Sequence, residues 1–399
     1  MNKTGKPEIM VPIRNLAGLE ACKEWADAVY FGCADLSLRA TASALKLSEL
    51  EKFTAKCHKY NIRAYLTVNS TIYNNELLKA EKIIKKAKEA KVDAVIVWDP
   101  AVIDLARKYK QKFFISTQAN ISNYKSALFY KKLGASRVVL ARETTLKQIK
   151  EIKQKSKMEV ETFVHGAMCL AISGRCILSA YLFGKSANRG SCAQPCRKEW
   201  ILSDTQGNKI ANQGKYYMNS KDMCMIEYMP QLMASGIDSF KIEGRRRDPK
   251  YVEVTSRCYK QAVTAVIEGT FTKEKAKQWK EELKTVYNRG FSTGFYFGVP
   301  GKEGISYDKA DNLSTTKKIR IGRVVKYYSR LKVASIKLES GGLKVGESIT
   351  VESPKTFLEQ KIVSMQIQGK QVDSGKKGQE IAIKVNKKVK VNDNIFIFK

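Results

Sequence analysis

From the start to about residue 265, short β-branched apolar runs alternate with lysine-dotted amphipathic stretches. The runs are IMVPI (9–13), AVYFG (28–32), RAYLTVN (63–69), AVIVWD (94–99), FFISTQ (113–118), RVVLAR (137–142), EVETFVHG (159–166) and SFKIEG (239–244). Between most of them lie segments such as NELLKAEKIIKKAKEAKV (75–92) and NYKSALFYKKLGA (123–135), whose apolar residues recur at three and four. Eight strands with helical crossovers predict an α/β fold, a TIM-type (β/α)8 barrel over residues 1–270. A doubly wound sheet is the next-best fit, but no glycine-rich phosphate loop follows the first strand.

The crossover from the seventh to the eighth strand, about 166–236, is far longer than the others, and barrels keep their chemistry in such insertions. A helical and turn-rich connector follows at 271–317. From 318 to 399 short alternating strands with glycine turns predict a small all-β barrel domain.

Composition adds a partner class. The chain of 399 residues carries 72 Lys and Arg against 39 Asp and Glu, a net charge of +33, which points to a polyanion; a lysine-rich host proteome is the plainer source of such charge. Residues 318–399 hold 18 Lys and Arg against seven Asp and Glu, so the tail domain is about twice as charge-dense as the rest. No run approaches the ~18 apolar residues of a membrane span, and the N-terminus lacks a signal-peptide layout, so the expected location is the cytoplasm.

Nine cysteines in a reducing compartment favour metal or thiol chemistry over disulfides. Cys169, Cys176, Cys192 and Cys196 fall within 28 residues of the long insertion, spaced C-x6-C and C-x3-C. Four thiolates suit a tetrahedral zinc ion or a four-cysteine iron–sulfur cluster, and the lack of a C-x2-C knuckle favours the cluster. Cys224 is the reserve ligand. Cys22, Cys33, Cys57 and Cys258 are expected to be ordinary buried thiols. His165, four residues from Cys169, also permits a cysteine–histidine protease dyad.

These residues resemble the collagenase-like peptidase family, number thirty-two among peptidases of unassigned catalytic type. Its signature Glu-x-Phe-x-x-Gly-Ala-x-Cys-x4-Gly-x-Cys-x-Leu-Ser is filled by Glu161, Phe163, Gly166, Ala167, Cys169, Gly174, Cys176, Leu178 and Ser179. Similar blocks recur in NRGSCAQPCR (188–197), MNSKDMC (218–224), GIDSFKIEGRRR (236–247) and RGFSTGF (289–295). The resemblance implies oxygen-independent hydroxylation with a four-iron four-sulfur cluster held by four cysteines. The branch it most resembles hydroxylates the wobble uridine of tRNA to 5-hydroxyuridine with prephenate required, and carries an appended β-barrel. Other branches act on ribosomal RNA or on quinone precursors, and the older label implies a protease dependent on cysteine or metal. A non-catalytic RNA-binding chaperone would account for the charge alone.

At the C-terminal ends of barrel strands stand Asn69, Gln118, Arg142, His165, Glu243 and Arg245, with Arg175 in the insertion. Arg142, Arg175, Asn69 and Gln118 are the expected substrate-binding residues. The arginine fork, offered by Arg142, Arg175, Arg245 and Arg246, suits a dicarboxylate, and prephenate itself rests on the resemblance. His165, Glu243 and Arg245 are the catalytic candidates. The expected partner is tRNA, with no membrane; an electron donor is not identifiable.

Overall fold

The computed structural model describes residues 6–33, 36–38, 45–209, 215–308 and 311–399, so Met1–Gly5, at the start of the stretch examined for a leader, lie outside it. The chain divides into two compact units, Met1–Arg14 with Cys22–Ser314, and Asn15–Ala21 with Thr315–Lys399.

In the first unit, eight parallel strands close a TIM-type barrel at the positions the apolar runs predict. They are β1 (Glu8–Pro12), β2 (Ala28–Gly32), β3 (Arg63–Val68), β4 (Ala94–Val97), β5 (Phe113–Ile115), β6 (Arg137–Val139), β7 (Glu159–Ala167) and β9 (Ser239–Ile242). Each pairs with its neighbour, and β9 pairs with both β1 and β7 to complete the ring. The helices of the chain are α1 (Leu16–Cys22), α2 (Leu50–Lys59), α3 (Leu77–Glu89), α4 (Pro100–Lys108), α5 (Tyr124–Lys132), α6 (Leu146–Ser156), α7 (Leu178–Phe183), α8 (Met229–Ala234), α9 (Pro249–Ile267) and α10 (Lys273–Lys284). Their starts are written locally. Asp99 accepts from the Ala101 amide ahead of Pro100, Asp248 from Tyr251 ahead of Pro249, and Thr145 with Gln148 forms a capping box. α3 buries Ala80, Ile83, Ile84 and Ala87, the three-and-four stripe read from the sequence.

Met10, Tyr30, Tyr65, Ile96 and Phe114 form one cluster in the barrel interior. An ionic network is laid against it, with Arg137 over the Phe114 ring and Lys241 over the Tyr30 ring. The Arg137 guanidinium donates to Glu8 Oε1 (2.6 Å) and Glu161 Oε2 (3.0 Å), while Lys241 Nζ donates to Glu161 Oε1 (2.6 Å). Arg63 and the Tyr65 hydroxyl complete the shell around Glu8. Each of these buried charges therefore has a paired, hydrogen-bonded partner, as burial demands.

Two short strands lie outside the ring. β7 runs past the barrel rim and pairs antiparallel with β8 (Asp222–Cys224), matching His165 to Cys224, and β10 (Phe291–Ser292) adds beside β8. Gly166 makes the close passage possible: its φ is +98°, and a Cβ there would stand 2.4 Å from the Glu243 carbonyl oxygen.

The second unit is antiparallel. β11 (Lys318–Tyr328), β12 (Val333–Leu338), β14 (Ser348–Ser353), β15 (Thr356–Lys361), β16 (Met365–Ile367), β17 (Lys370–Val372), β19 (Glu380–Lys384) and β20 (Asn394–Phe398) form one sheet in the order β15-β14-β20-β11-β12-β19-β16-β17. A ribbon of β13 (Leu343–Lys344) and β18 (Ser374–Gly375) lies beside it. Alternate residues, among them Val324, Ile336, Val351, Ile381 and Ile395, fill a single core.

Among the described residues, no helix is long and apolar enough to cross a membrane.

Candidate functional site

The insertion after β7 lies over the mouth of the barrel and is held there by its own side chains. Arg197 donates to the carbonyls of Met168 and Ser220 and to Asn219 Oδ1 (2.7 Å). Arg189 grips the Glu76 carboxylate with both nitrogens and the Thr71 carbonyl with one. Asn188 accepts from the Cys176 amide (2.9 Å), and the Ser179 hydroxyl from the Ala193 amide (2.8 Å).

So anchored, the loop brings Cys169, Cys176, Cys192 and Cys196 onto the wall of one cavity of about 210 Å³. Burial pushes the Cys196 thiol up, Arg197 beside it pulls the other way, and the three neighbouring cysteines add to the rise. The Gln194 amide donates to Cys192 Sγ (3.3 Å). Cys224 stands elsewhere. It is buried on β8 beside the Tyr259 hydroxyl (3.9 Å), its thiol pushed by burial up to about 11, and it does not line the cysteine cavity. Cys22, Cys33, Cys57 and Cys258 are buried, as expected of packing thiols. Among the described residues, no three His, Cys, Asp or Glu side chains stand close enough to hold a single metal ion. As a donor set, four thiols on one cavity wall fit a polynuclear iron–sulfur group.

A second, small cavity of about 30 Å³ lies in the barrel mouth and shares Leu38 and Ser173 with the first. Asn69, Gln118, Arg142 and Arg245 all line it, so four of the sequence-predicted residues converge there. Arg245 donates to the hydroxyls of Ser37 and Thr67 (2.9 Å each), and Arg142 to the Ala167 carbonyl (3.1 Å) with its guanidinium 3.9 Å from the centre of the Phe163 ring. Asn69 and Gln118 are joined through Ser116, and Gln118 donates to the Asn69 carbonyl (2.8 Å). Arg175 lines none of the three cavities described. It stacks 4.9 Å from the Trp98 ring, whose indole N–H donates to the Asn69 carbonyl, and so braces the rim from outside.

Lys241 also lines the barrel-mouth cavity. Burial draws its ammonium below the usual lysine range, against the pull of Glu161. A lone lysine inside SFKIEG reads as a solvated strand position; it shares the inward face with Ser239 two residues before it, whose hydroxyl donates to Glu8.

Glu243 lines a third, open cavity of about 520 Å³, together with Lys185, Arg246, Arg247 and Gln194. This cavity shares Ala167, Cys192, Gln194 and Arg246 with the cysteine cavity, which therefore lies between the other two.

His165 lines none of the three. Its ring is 1% exposed, packed against Tyr251, Tyr259 and Phe291, and Nδ1 meets the Tyr259 hydroxyl at 3.4 Å. A register shift in the β7–β9 pairing between Phe163 and His165 accompanies this placement: Phe163 lines the barrel mouth, while His165 packs on Tyr251 and Tyr259 of α9. The cysteine–histidine dyad read from their spacing thus has its histidine in an aromatic box. Burial lowers the imidazole from 6.5 to about 3. The native state then resists a proton that the unfolded chain accepts, so stability present above pH 6.5 is lost as the pH falls towards 3. Between pH 7 and pH 5 the loss from this residue is about 2 kcal/mol. Urea unfolding at both pH values checks it: His165→Phe is expected to lose that much less than the native chain, and an equal loss in both assigns the slope elsewhere.

A closed (β/α)8 barrel, with an insertion of four thiols over the C-terminal ends of its strands, defines a barrel protein whose chemistry sits at the end where this fold keeps it. The chain belongs to peptidase family U32, whose model matches residues 16–306. It is 41% identical to an uncharacterized protease of Methanocaldococcus jannaschii, covering 98% of both chains. A collagenase of Porphyromonas gingivalis is 36% identical over 98% of this chain and 97% of its own. The tRNA hydroxylation protein P1 of Bacillus subtilis is 37% identical over 75% of this chain and 73% of its own.

Proposed function

We propose that this protein is an iron–sulfur-dependent RNA hydroxylase, with the wobble uridine of tRNA as substrate and prephenate as the required metabolite. The observation that carries the reading is the convergence of Cys169, Cys176, Cys192 and Cys196 on one cavity that adjoins a cation-lined barrel mouth. The relative named a tRNA hydroxylation protein supports the RNA substrate, and the net charge of +33 suits a polyanion.

The four cysteines would hold a four-iron four-sulfur cluster, which supplies one-electron chemistry when bound. The rest falls to the chain. Arg142, Arg245 and Lys241 present positive charge at the barrel mouth, where a dicarboxylate such as prephenate, seated in the adjoining larger cavity, would direct a carboxylate. Asn69 and Gln118, locked to each other through Ser116, set the shape of the opposite wall. Arg142 also donates to the Ala167 carbonyl, so an anion bound there is tied to the start of the cysteine loop.

Protease chemistry finds less support, because His165 packs among aromatic rings and shares no cavity with Cys169. The deciding experiment is mass spectrometry of tRNA nucleosides from cells with and without the gene. Loss of 5-hydroxyuridine derivatives in the deletion, restored by the native gene, is the expected result; unchanged levels in a strain free of paralogues would overturn the reading.

A further inference from the structure

The open cavity on the far side of the cysteine loop has a composition of its own. Three cations, Lys185, Arg246 and Arg247, line it against one carboxylate, Glu243. Glu243 is 5% exposed and its main chain is fixed, the amide donating to the His165 carbonyl (2.9 Å) and the carbonyl accepting from Tyr251 (2.7 Å). The cations belong to two elements: Lys185 follows α7 in the insertion, whereas Arg246 and Arg247 lie between β9 and α9.

Two of the three are preset. Arg246 donates to the Cys192 carbonyl (3.1 Å), which ties it to the cysteine loop. The Arg247 guanidinium stacks on Tyr287, 3.3 Å from the ring centre. Behind them two more arginines, Arg197 and Arg289, are buried around Asp222, with Arg289 3.6 Å from its carboxylate. Among the described residues the lining is net positive, and an arginine held by its neighbours loses little freedom on gripping an oxyanion. Two arginine forks and a lysine match the oxygens of a phosphate group.

We infer that this cavity is a phosphate-binding subsite, formed by Lys185, Arg246 and Arg247, that seats a backbone phosphate next to the nucleotide presented to the cysteine cavity. The inference rests on the RNA reading above. The shared wall of Ala167, Cys192, Gln194 and Arg246 gives the geometry its meaning: a phosphate held there places its nucleotide one wall away from the thiols. Phosphate contacts position a nucleic acid without reading its sequence, so the subsite sets register and leaves base choice to contacts elsewhere.

The test measures tRNA binding by the full-length chain across a series of salt concentrations. Lys185→Gln, Arg246→Gln and Arg247→Gln are each compared with Lys110→Gln, an exposed lysine between α4 and β5 at the opposite end of the barrel. Each subsite variant is expected to weaken binding about 5–10-fold and to lower the slope of log K against log salt by about one, while Lys110→Gln does neither. Lys185 is exposed, so its variant keeps the test valid if an arginine variant folds poorly. Subsite variants that track Lys110→Gln in tRNA binding would overturn the inference and leave the RNA reading standing. Titration with inorganic phosphate separates the sources. Phosphate binding lost in the three variants, with no tRNA binding by any form, keeps the phosphate site and removes the RNA.

Discussion

Cys196→Ser is expected to strip the iron from anaerobically purified protein, while Cys224→Ser leaves it in place. The native chain should be brown with about four irons, and the Cys196 variant should keep less than a quarter of that metal and of the visible absorbance. The reason is placement. Cys196 shares its cavity wall with three other thiols, whereas Cys224 sits on β8 against Tyr259, its thiol held protonated by burial. Cys176→Ala should behave as Cys196→Ser does. Iron analysis and absorbance read the outcome without any assay of activity. A Cys224 variant that loses iron while the Cys196 variant retains it would reassign the fourth ligand, and a colourless native chain carrying one zinc would dismiss the cluster.

Arg137→Met is expected to destabilise the barrel by about 3–5 kcal/mol, because it leaves two buried carboxylates with fewer cations than they need. Glu8 and Glu161 are both fully buried and both accept from the same guanidinium. Arg63 remains beside Glu8 and Lys241 beside Glu161, but the guanidinium that bridges the two carboxylates is gone. All four tryptophans, Trp25, Trp98, Trp200 and Trp279, lie in the barrel unit, so urea unfolding followed by their fluorescence reports that unit. A cost below about 1 kcal/mol would mean that water or a shifted lysine replaces the guanidinium.

The strands were the most legible part of the molecule. Their β-branched runs and the stripes over α3 and α5 are local patterns, and local patterns are what a one-dimensional reading captures. The four-cysteine grouping was legible too, since all four stand in one loop. What escaped were features set by pairing across the chain. Nothing local in MNSKDMC announces that β8 returns antiparallel along β7, so the sequence left Cys224 competing with Cys196. His165 stands four residues before Cys169, and an irregular β7–β9 register leaves it packed on α9, which no spacing reveals. That Arg142, Arg245, Asn69 and Gln118 share one cavity follows from strand ends, which are countable; Lys241 joins them unannounced because a charged residue inside a strand resembles a solvated one.

The ties that hold the insertion are made by arginine, asparagine and serine: Arg197 to Met168 and Ser220, Arg189 to Glu76, Asn188 to the Cys176 amide, Ser179 to Ala193. None of them uses a sulfur atom. Shape and chemistry are thereby inherited separately: a descendant of this chain can exchange its thiols and keep the same roof over the barrel. Such a lineage would preserve its architecture while abandoning its reaction, and the arginines, not the cysteines, would record the common ancestry.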